Sequence, residues 1–159
     1  MRTAICILLA LVVLQPVAGR ACSCAEPREP LAELASSTAV FSGRVMHVEL
    51  ADPYGQGWFL KRVTMALIDC WKGALDATVI VWTGVNEAVC GIDFQVDTEW
   101  LVYAFGPQDV MGAGLCSRTQ PLEWAAYDLA QLGTPTCTVP VVPSTWSAVK
   151  RLYEMNVTH

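Results

Sequence analysis

The sequence predicts a mainly β protein with flanking helices, built as an antiparallel barrel or sandwich and cross-linked by disulfide bonds. Segments rich in Val, Ile, Phe, Trp and Tyr are separated by clusters of Gly, Pro, Asp and Asn, which is typical of strands joined by turns. Strands and helices do not alternate regularly, so a parallel sheet is not expected. Six cysteines remain once an export signal is removed, and an even number in an exported protein indicates a disulfide framework.

Residues 1–21 have the features of an export signal that is removed. The apolar run over residues 4–14 is too short to span a bilayer, which takes about 20 residues. Cleavage after Ala21 would make Cys22 the new amino terminus, whereas cleavage after Gly19 would leave two residues ahead of it. Lipidation of Cys22 is a third possibility, which the bulky charged Arg20 disfavours. We therefore expect a secreted protein, or a periplasmic or envelope protein if its source is bacterial.

Charge and length limit the partners and the number of domains. Arg2 and Arg20 leave with the signal, so 8 basic residues face 15 acidic ones and the formal charge becomes −7. No basic stripe remains to bind nucleic acid or anionic lipid. The remaining length suits one domain. We expect a monomer with that domain over residues 22–133 and an extension over residues 134–159 that packs on it or trails from it.

The first half of the domain is predicted to be a short helix followed by strands. Residues 27–37 predict the helix, with a proline and acidic residues in its first turn and with Leu31, Leu34 and Ala35 on one side. The turn-forming residues 52–57 predict a hairpin between the first two strands. The predicted strands cover residues 38–50, 58–71, 78–83 and 100–105.

The second half of the domain ends in a further helix. Residues 121–132 predict it, and Gly133 is its expected stop. The proline-containing tail after it predicts a last amphipathic segment around Trp146 and Leu152. The residues at helical spacing in the main helix are Leu122, Ala125, Ala126, Leu129 and Leu132.

The sequence contains none of the common catalytic motifs, so we expect a binding protein rather than an enzyme. His47 falls within a strand pattern, which favours a half-exposed structural residue over a general base. Asp93, Asp97 and Glu99 fall in a turn and are expected to be solvated. A metal site of the chain's own is disfavoured, because the cysteines are scattered apart from one Cys-x-Cys pair.

The sequence CSCAEP at residues 22–27 resembles the amino terminus of the tissue inhibitors of metalloproteinases. Other stretches resemble the same family in the same order. The resemblance implies a netrin-like module, which is a five-stranded antiparallel barrel of the oligonucleotide-binding (OB) type with flanking helices. The matching stretches are AVFSGRV at 39–45, CWKG at 70–73, EAVCG at 87–91, WLVYA at 100–104, and LCS at 115–117 followed by PL at 121–122 and the second helix.

The resemblance also implies a disulfide pattern, which spacing alone does not choose. In the family, the first cysteine pairs with that of the connector loop and the second with that before the final helix. This implies Cys22–Cys90 and Cys24–Cys116. Cys70 and Cys137 are left over and are paired by elimination. This third pair departs from the family, whose third bridge in this domain starts from a cysteine in the first helix.

The resemblance further implies how the amino terminus acts. The α-amino nitrogen and carbonyl oxygen of Cys22 would bind, in trans, the catalytic zinc of a secreted or cell-surface metalloendopeptidase and displace its water. The chain itself would need no cofactor. Ser23 would point toward the specificity pocket of the target. The other residues expected to bind the partner are Cys24, Ala25, Glu26, Glu87, Ala88, Val89 and Cys90.

Two other functions stay open. In the first, the two amino-terminal bridges only fasten the chain to the sheet of a netrin-like adhesion or scaffolding module, because a fold does not determine a function. In the second, acylation of Cys22 produces a lipid-anchored envelope protein.

Overall fold

Five strands form one antiparallel sheet in the computed structural model, which describes residues 22–26 and 28–137. They are β1 (Ala39–Ala51), β2 (Leu60–Lys72), β3 (Thr78–Thr83), β4 (Glu99–Ala104) and β5 (Gln120–Pro121), in the spatial order β3-β2-β1-β4-β5. Two α-helices accompany them, α1 (Pro30–Ser36) and α2 (Ala126–Leu132). The prediction of a mainly β, antiparallel protein with helices is confirmed. Short 3₁₀ helices cover Glu87–Val89, Gln108–Val110 and Leu122–Trp124.

The first two strands form the predicted hairpin around the turn at residues 52–57. The carboxylate of Asp52 accepts hydrogen bonds from the backbone N–H groups of Tyr54, at 3.1 Å, and Gly57, at 2.6 Å. This is the local reason that the chain reverses here, because an Asp side chain satisfies backbone donors that the strands leave free. The tip of the hairpin exposes the large apolar side chains of Leu50, Tyr54, Trp58 and Phe59.

Irregular pairing curves the sheet around its inner face. The register of β1 against β2 shifts at three places, and such shifts bend and twist a strand. The concave face is filled by strand residues and by four side chains from loops, namely Ile92, Phe94, Met111 and Ala113. The strand residues in this inner core are Ala39, Phe41, Val45, Val63, Met65, Cys70, Val79, Val81, Val102 and Ala104.

The outer face of the sheet is covered by the helices at one end only. Buried Val40, Trp71, Leu101 and Tyr103 pack there with Ala125 and Leu132, and α1 adds the partly buried Leu34. The indole N–H of Trp71 donates to the carbonyl of Gly133 at 2.8 Å, just after the end of α2. The ammonium group of Lys72 donates to the carbonyls of Leu34 and Ala35 at the end of α1.

The described sheet is open, which differs from the expected closed barrel. Strand β5 has two residues and pairs only with Trp100 and Leu101. Pro121 pairs with Trp100 but has no backbone N–H to donate, and the ladder ends there. Between the end of β3 and the residue after β4, Gly112 forms single bridges with Trp82 and Phe105 in place of a continuous strand.

Both helices are shorter than predicted. Helix α1 begins at Pro30 because the backbone of Glu29 is extended, as residues before proline prefer. Leu31, expected to pack inward, is 53% exposed, and Ala35 is exposed as well. The second helix starts as a 3₁₀ turn and becomes α-helical only at Ala126, whose side chain is exposed. Gly133 ends it, as predicted.

Two predicted segments, the export signal over residues 1–21 and the amphipathic segment near Trp146, lie outside the described residues. In the part of the chain that is described, no helix has the length and apolar character to cross a membrane.

Candidate functional site

Three disulfide bonds connect distant parts of the chain. They are Cys22–Cys90, Cys24–Cys116 and Cys70–Cys137, with Cα–Cα distances of 5.3, 5.0 and 5.2 Å. They are the same three pairs as those expected from the sequence. The third belongs to the core, because Cys70 is buried and the backbone N–H of Cys137 donates to the carbonyl of Cys70 at 3.1 Å.

The other two bridges place the amino-terminal residues beside the 3₁₀ helix Glu87–Val89. Cys22 and Cys90 are partly buried, and every other residue of the two segments is exposed, including Val89 at 57%. We call residues 22–26 together with residues 87–90 the amino-terminal edge. All residues predicted to bind a partner therefore lie in one place, and their binding role stays a prediction. They are Cys22, Ser23, Cys24, Ala25, Glu26, Glu87, Ala88, Val89 and Cys90.

The two bridges of the amino-terminal edge are in contact with each other. The Sγ atoms of Cys22 and Cys116 lie 3.8 Å apart, and those of Cys22, Cys24 and Cys116 all lie within 4.8 Å of one another. Each of these sulfur atoms is part of a disulfide bond, and metals bind the free thiolate. In its oxidised state the cluster is therefore a pair of adjacent, rigid cross-links.

Local hydrogen bonds shape the segment that carries Cys90. Asn86 precedes the 3₁₀ helix, and its side-chain oxygen accepts from the backbone N–H of Ala88 at 3.0 Å. Its carbonyl accepts from the N–H of Gly91 at 2.9 Å. Cys90 itself adopts a left-handed conformation with φ of 58°, which reverses the chain back toward the core. The segment is thus a closed loop with Glu87–Val89 at its tip.

Two glycines, Gly84 and Gly91, lie side by side where the two ends of this loop meet. We call this place the neck of the loop. A Cβ atom on Gly91 would lie 2.0 Å from the carbonyl oxygen of Gly84, and one on Gly84 would lie 2.5 Å from the carbonyl oxygen of Val89. Only glycine allows backbones to approach this closely. Below the neck, the buried N–H of Ile92 donates to the hydroxyl of Thr83 at 2.9 Å, which anchors the loop to the core.

The supporting residues of the amino-terminal edge were not predicted from the sequence. Leu115 is exposed and donates its backbone N–H to the carbonyl of Cys90 at 2.9 Å, so it borders the edge. Its position directly before Cys116 was an available signal, because that cysteine was expected to bond to Cys24. Gly84 and Asn86 flank the loop, and both are residue types typical of tight turns.

A largely buried ionic cluster includes Arg118, two residues after Cys116. The Nε atom of Arg118 donates to the Oδ2 atom of Asp128 at 2.8 Å, and its Nη2 atom donates to Oδ1 of the same carboxylate at 2.5 Å. Asp128 is 2% exposed and also accepts from the hydroxyl of the fully buried Tyr103 at 2.8 Å. The Nη1 atom of Arg118 donates to the carbonyl of Arg28 at 2.8 Å.

The electrostatics of this cluster follow from its geometry. Burial alone raises the pKa of Asp128, but hydrogen bonds from Arg118 and Tyr103 outweigh it, and the net pKa is lowered. Burial, together with the carboxylate of Asp128, raises the pKa of Tyr103. The hydrogen bond with Asp128 raises the pKa of Arg118. All three shifts favour an ionised Arg118–Asp128 pair beside a neutral phenol.

The other charged residues considered in the sequence do not belong to the amino-terminal edge. His47 is exposed on β1. Exposed Asp93 pairs with Lys61 at 2.9 Å, and that hydrogen bond lowers its pKa. Asp97 is exposed, and the half-buried Glu99 pairs with Arg44 at 2.7 Å. An open cleft of about 630 Å³ is lined by Arg44, Asp97, Thr98, Glu99, Trp100, Pro121, Leu122 and Glu123.

No protein-family model matches the chain, and no curated protein sequence matches it.

Proposed function

We propose that this chain is a secreted inhibitor of zinc metalloendopeptidases that binds the catalytic zinc of its target through the amino-terminal Cys22. One observation supports the proposal above all others: two adjacent disulfides hold Cys22 in an exposed edge that also presents the tip of the Glu87–Val89 loop. A partner can approach such an edge without any movement of the core.

The chemistry requires a free amino group on Cys22. The amine and the carbonyl oxygen of one residue are neighbouring ligands, and together they displace the water that a catalytic zinc keeps in its open position. The target thereby loses its nucleophile. An α-amino group has a reference pKa of about 8, so its deprotonation at neutral pH costs little and metal binding favours it. No zinc belongs to the inhibitor itself.

The exposed residues on either side of Cys22 supply the remaining contacts. Ser23 enters the specificity pocket of the target, with its hydroxyl near the general base of the peptidase. Ala25 and Glu26 lie on one side, and Val89 presents an apolar surface on the other. Because disulfides order both segments before binding, little conformational entropy is lost when the complex forms.

We also infer that the fold is related to netrin-like modules with an OB-type barrel. The strand order, with β1 between β2 and β4, and the curvature of β1 support the inference. The β-bridges that Gly112 forms with Trp82, at the end of β3, and with Phe105, after β4, also support the inference. In this proposal the loop around Gly112 takes the place of a full closing strand.

The test is inhibition of a panel of zinc endopeptidases by refolded protein that begins at Cys22. A matched version carries one additional alanine ahead of Cys22, and a second control carries the alanine at the carboxyl terminus. The proposal predicts inhibition by the first and third proteins and loss of inhibition in the second, because an amide nitrogen does not bind zinc as a free amine does. Mass spectrometry of the natural amino terminus identifies the processed form, including an acylated one.

A surface variant tests the contact proposed for the Glu87–Val89 segment of the amino-terminal edge. Val89→Arg places a charge in the proposed contact and is expected to weaken inhibition. Val96→Arg is its matched control, because Val96 is 51% exposed and lies in the turn before β4, outside the edge. If correctly bridged protein beginning at Cys22 inhibits no peptidase of the panel, the netrin-like binding module without inhibition is the better description.

A further inference from the structure

We propose that Arg118 is the positioning residue of the amino-terminal edge: it fixes the direction in which the chain leaves Cys24 and so positions Ala25 and Glu26. Its effect on inhibition rests on the function proposed above. Its effect on the order of Ala25 and Glu26 does not, because that order is a property of the free protein.

The chain between Cys24 and Arg28 is attached at two points to one loop, the loop that carries Cys116 and Arg118. The disulfide Cys24–Cys116 is the first tie. The second is the hydrogen bond of 2.8 Å from Arg118 to the carbonyl of Arg28, across 90 residues of sequence. Arg118 lies two residues after Cys116, and Arg28 lies four residues after Cys24. The bridge Cys22–Cys90 fastens the chain ahead of Cys24, and the hydrogen bond from Arg118 fastens its backbone after Cys24. Tyr127 contacts this stretch through the carboxylate of Glu29, at 2.9 Å.

The guanidinium group is itself held in place by the core. Both carboxylate oxygens of Asp128 accept from it, and such a fork-like pair restricts the plane of the guanidinium. Asp128 belongs to α2, and Tyr103 of β4 donates to the same carboxylate. The direction of the amino-terminal chain is therefore set by buried residues of the sheet and of α2, through Arg118.

Lysine would not reproduce this arrangement. Arg118 reaches Asp128 and the carbonyl of Arg28 through different nitrogen atoms of one rigid plane, whereas the single ammonium nitrogen of lysine is one point charge on a flexible stem. In Arg118→Lys we expect the pair with Asp128 to survive and the tie to Arg28 to be lost. Both bridges of the edge remain in that variant.

The experiment compares backbone order and inhibition in Arg118→Lys and in the matched control Tyr103→Phe. The control weakens the same buried cluster without touching the tie to Arg28. We expect ¹⁵N relaxation order parameters for Ala25 and Glu26 near the rigid value of about 0.85 in the parent and in Tyr103→Phe, and below about 0.6 in Arg118→Lys. We expect the inhibition constant to rise about tenfold in Arg118→Lys, the factor for one charge-assisted hydrogen bond, and less than about twofold in the control.

If Arg118→Lys does not fold, Arg118→Met combined with Asp128→Asn replaces it. That pair leaves no buried charge and keeps an acceptor for Tyr103. Equal order parameters in parent and variant overturn the proposal, and so does an equal loss of order in Tyr103→Phe, which would indicate general loosening. If the parent inhibits no zinc peptidase, the function fails while the order parameters still decide the role of Arg118.

Discussion

Replacement of Gly91 by alanine tests the neck of the loop that presents Glu87–Val89. The added Cβ atom would lie 2.0 Å from the carbonyl oxygen of Gly84 and 2.4 Å from its carbonyl carbon, where ordinary contacts begin near 3.4 Å. Both atoms belong to the backbone, so no flexible side chain can move away. The two sides of the neck must separate by more than an ångström.

The cost of Gly91→Ala can be worked from the contacts that this separation strains. The N–H of Gly91 donates to the carbonyl of Asn86, and the N–H of Leu115 donates to the carbonyl of Cys90, both at 2.9 Å. Two hydrogen bonds contribute about 1 kcal/mol each, and an overpacked site costs a further 1–3 kcal/mol or so, about 3–5 kcal/mol in total. For a domain of this size, the melting temperature should fall by about 10–20 °C.

Calorimetry of the refolded protein measures this shift, with Gly55→Ala as the matched control. Gly55, unlike Gly91, has a positive φ, 63°, and no atom lies within 4 Å of its added Cβ. The control therefore carries only the cost of a left-handed alanine, about 1–2 kcal/mol. A decrease for Gly91→Ala no larger than that for Gly55→Ala would refute the close approach at the neck.

Three further predictions concern stability. Because the folded-state pKa of Asp128 is lowered, the Arg118 pair stabilises the protein fully above the unfolded-state value of about 3.9 and is lost as pH falls through the folded-state value. Urea midpoints measured from neutral pH to about pH 3 should therefore change less with pH in Asp128→Asn than in the parent protein. The variant should also be less stable than the parent at neutral pH. Removing Cys70–Cys137 with two alanines should cost about 4 kcal/mol in guanidinium unfolding, since the bridge closes a sequence separation of 67 residues. Trp71→Phe should cost about 1–2 kcal/mol in the same assay, because the buried indole N–H loses its carbonyl partner after α2.

The elements that depend on local pattern were predictable from the sequence. Strand β3 was predicted with its observed bounds, and β1, β2 and β4 to within two residues, because dense β-branched and aromatic residues are interrupted by clear turn formers. Closure of the barrel was not predictable in this way. It depends on whether a distant segment pairs with β3 over several residues. In the described part of the chain the segment at Gly112 forms only single bridges there, and Pro121 limits β5 to two residues.

The residues of the candidate site likewise divide into those that the sequence predicted and those that depend on contacts between distant parts of the chain. Residues adjacent to cysteines were found by sequence because the family resemblance supplied their pairing. The contacts that shape the site join partners far apart in sequence, such as Arg118 with Arg28, and no local signal marks them. Asp128 illustrates the difficulty, because a carboxylate inside a helix pattern usually faces solvent, and only the fold brings a guanidinium and a phenol to it.

Folding and inhibition depend on different chemical bonds in the proposed mechanism. The bridges Cys22–Cys90 and Cys24–Cys116 use side-chain sulfur atoms, so they form whether or not a residue precedes Cys22. Zinc binding uses the backbone nitrogen of Cys22, which an acyl group or a preceding residue converts to a non-basic amide. One additional alanine should therefore abolish inhibition while leaving the melting temperature unchanged. By the same argument, a chain cleaved after Gly19 should fold but inhibit only once Arg20 and Ala21 are removed.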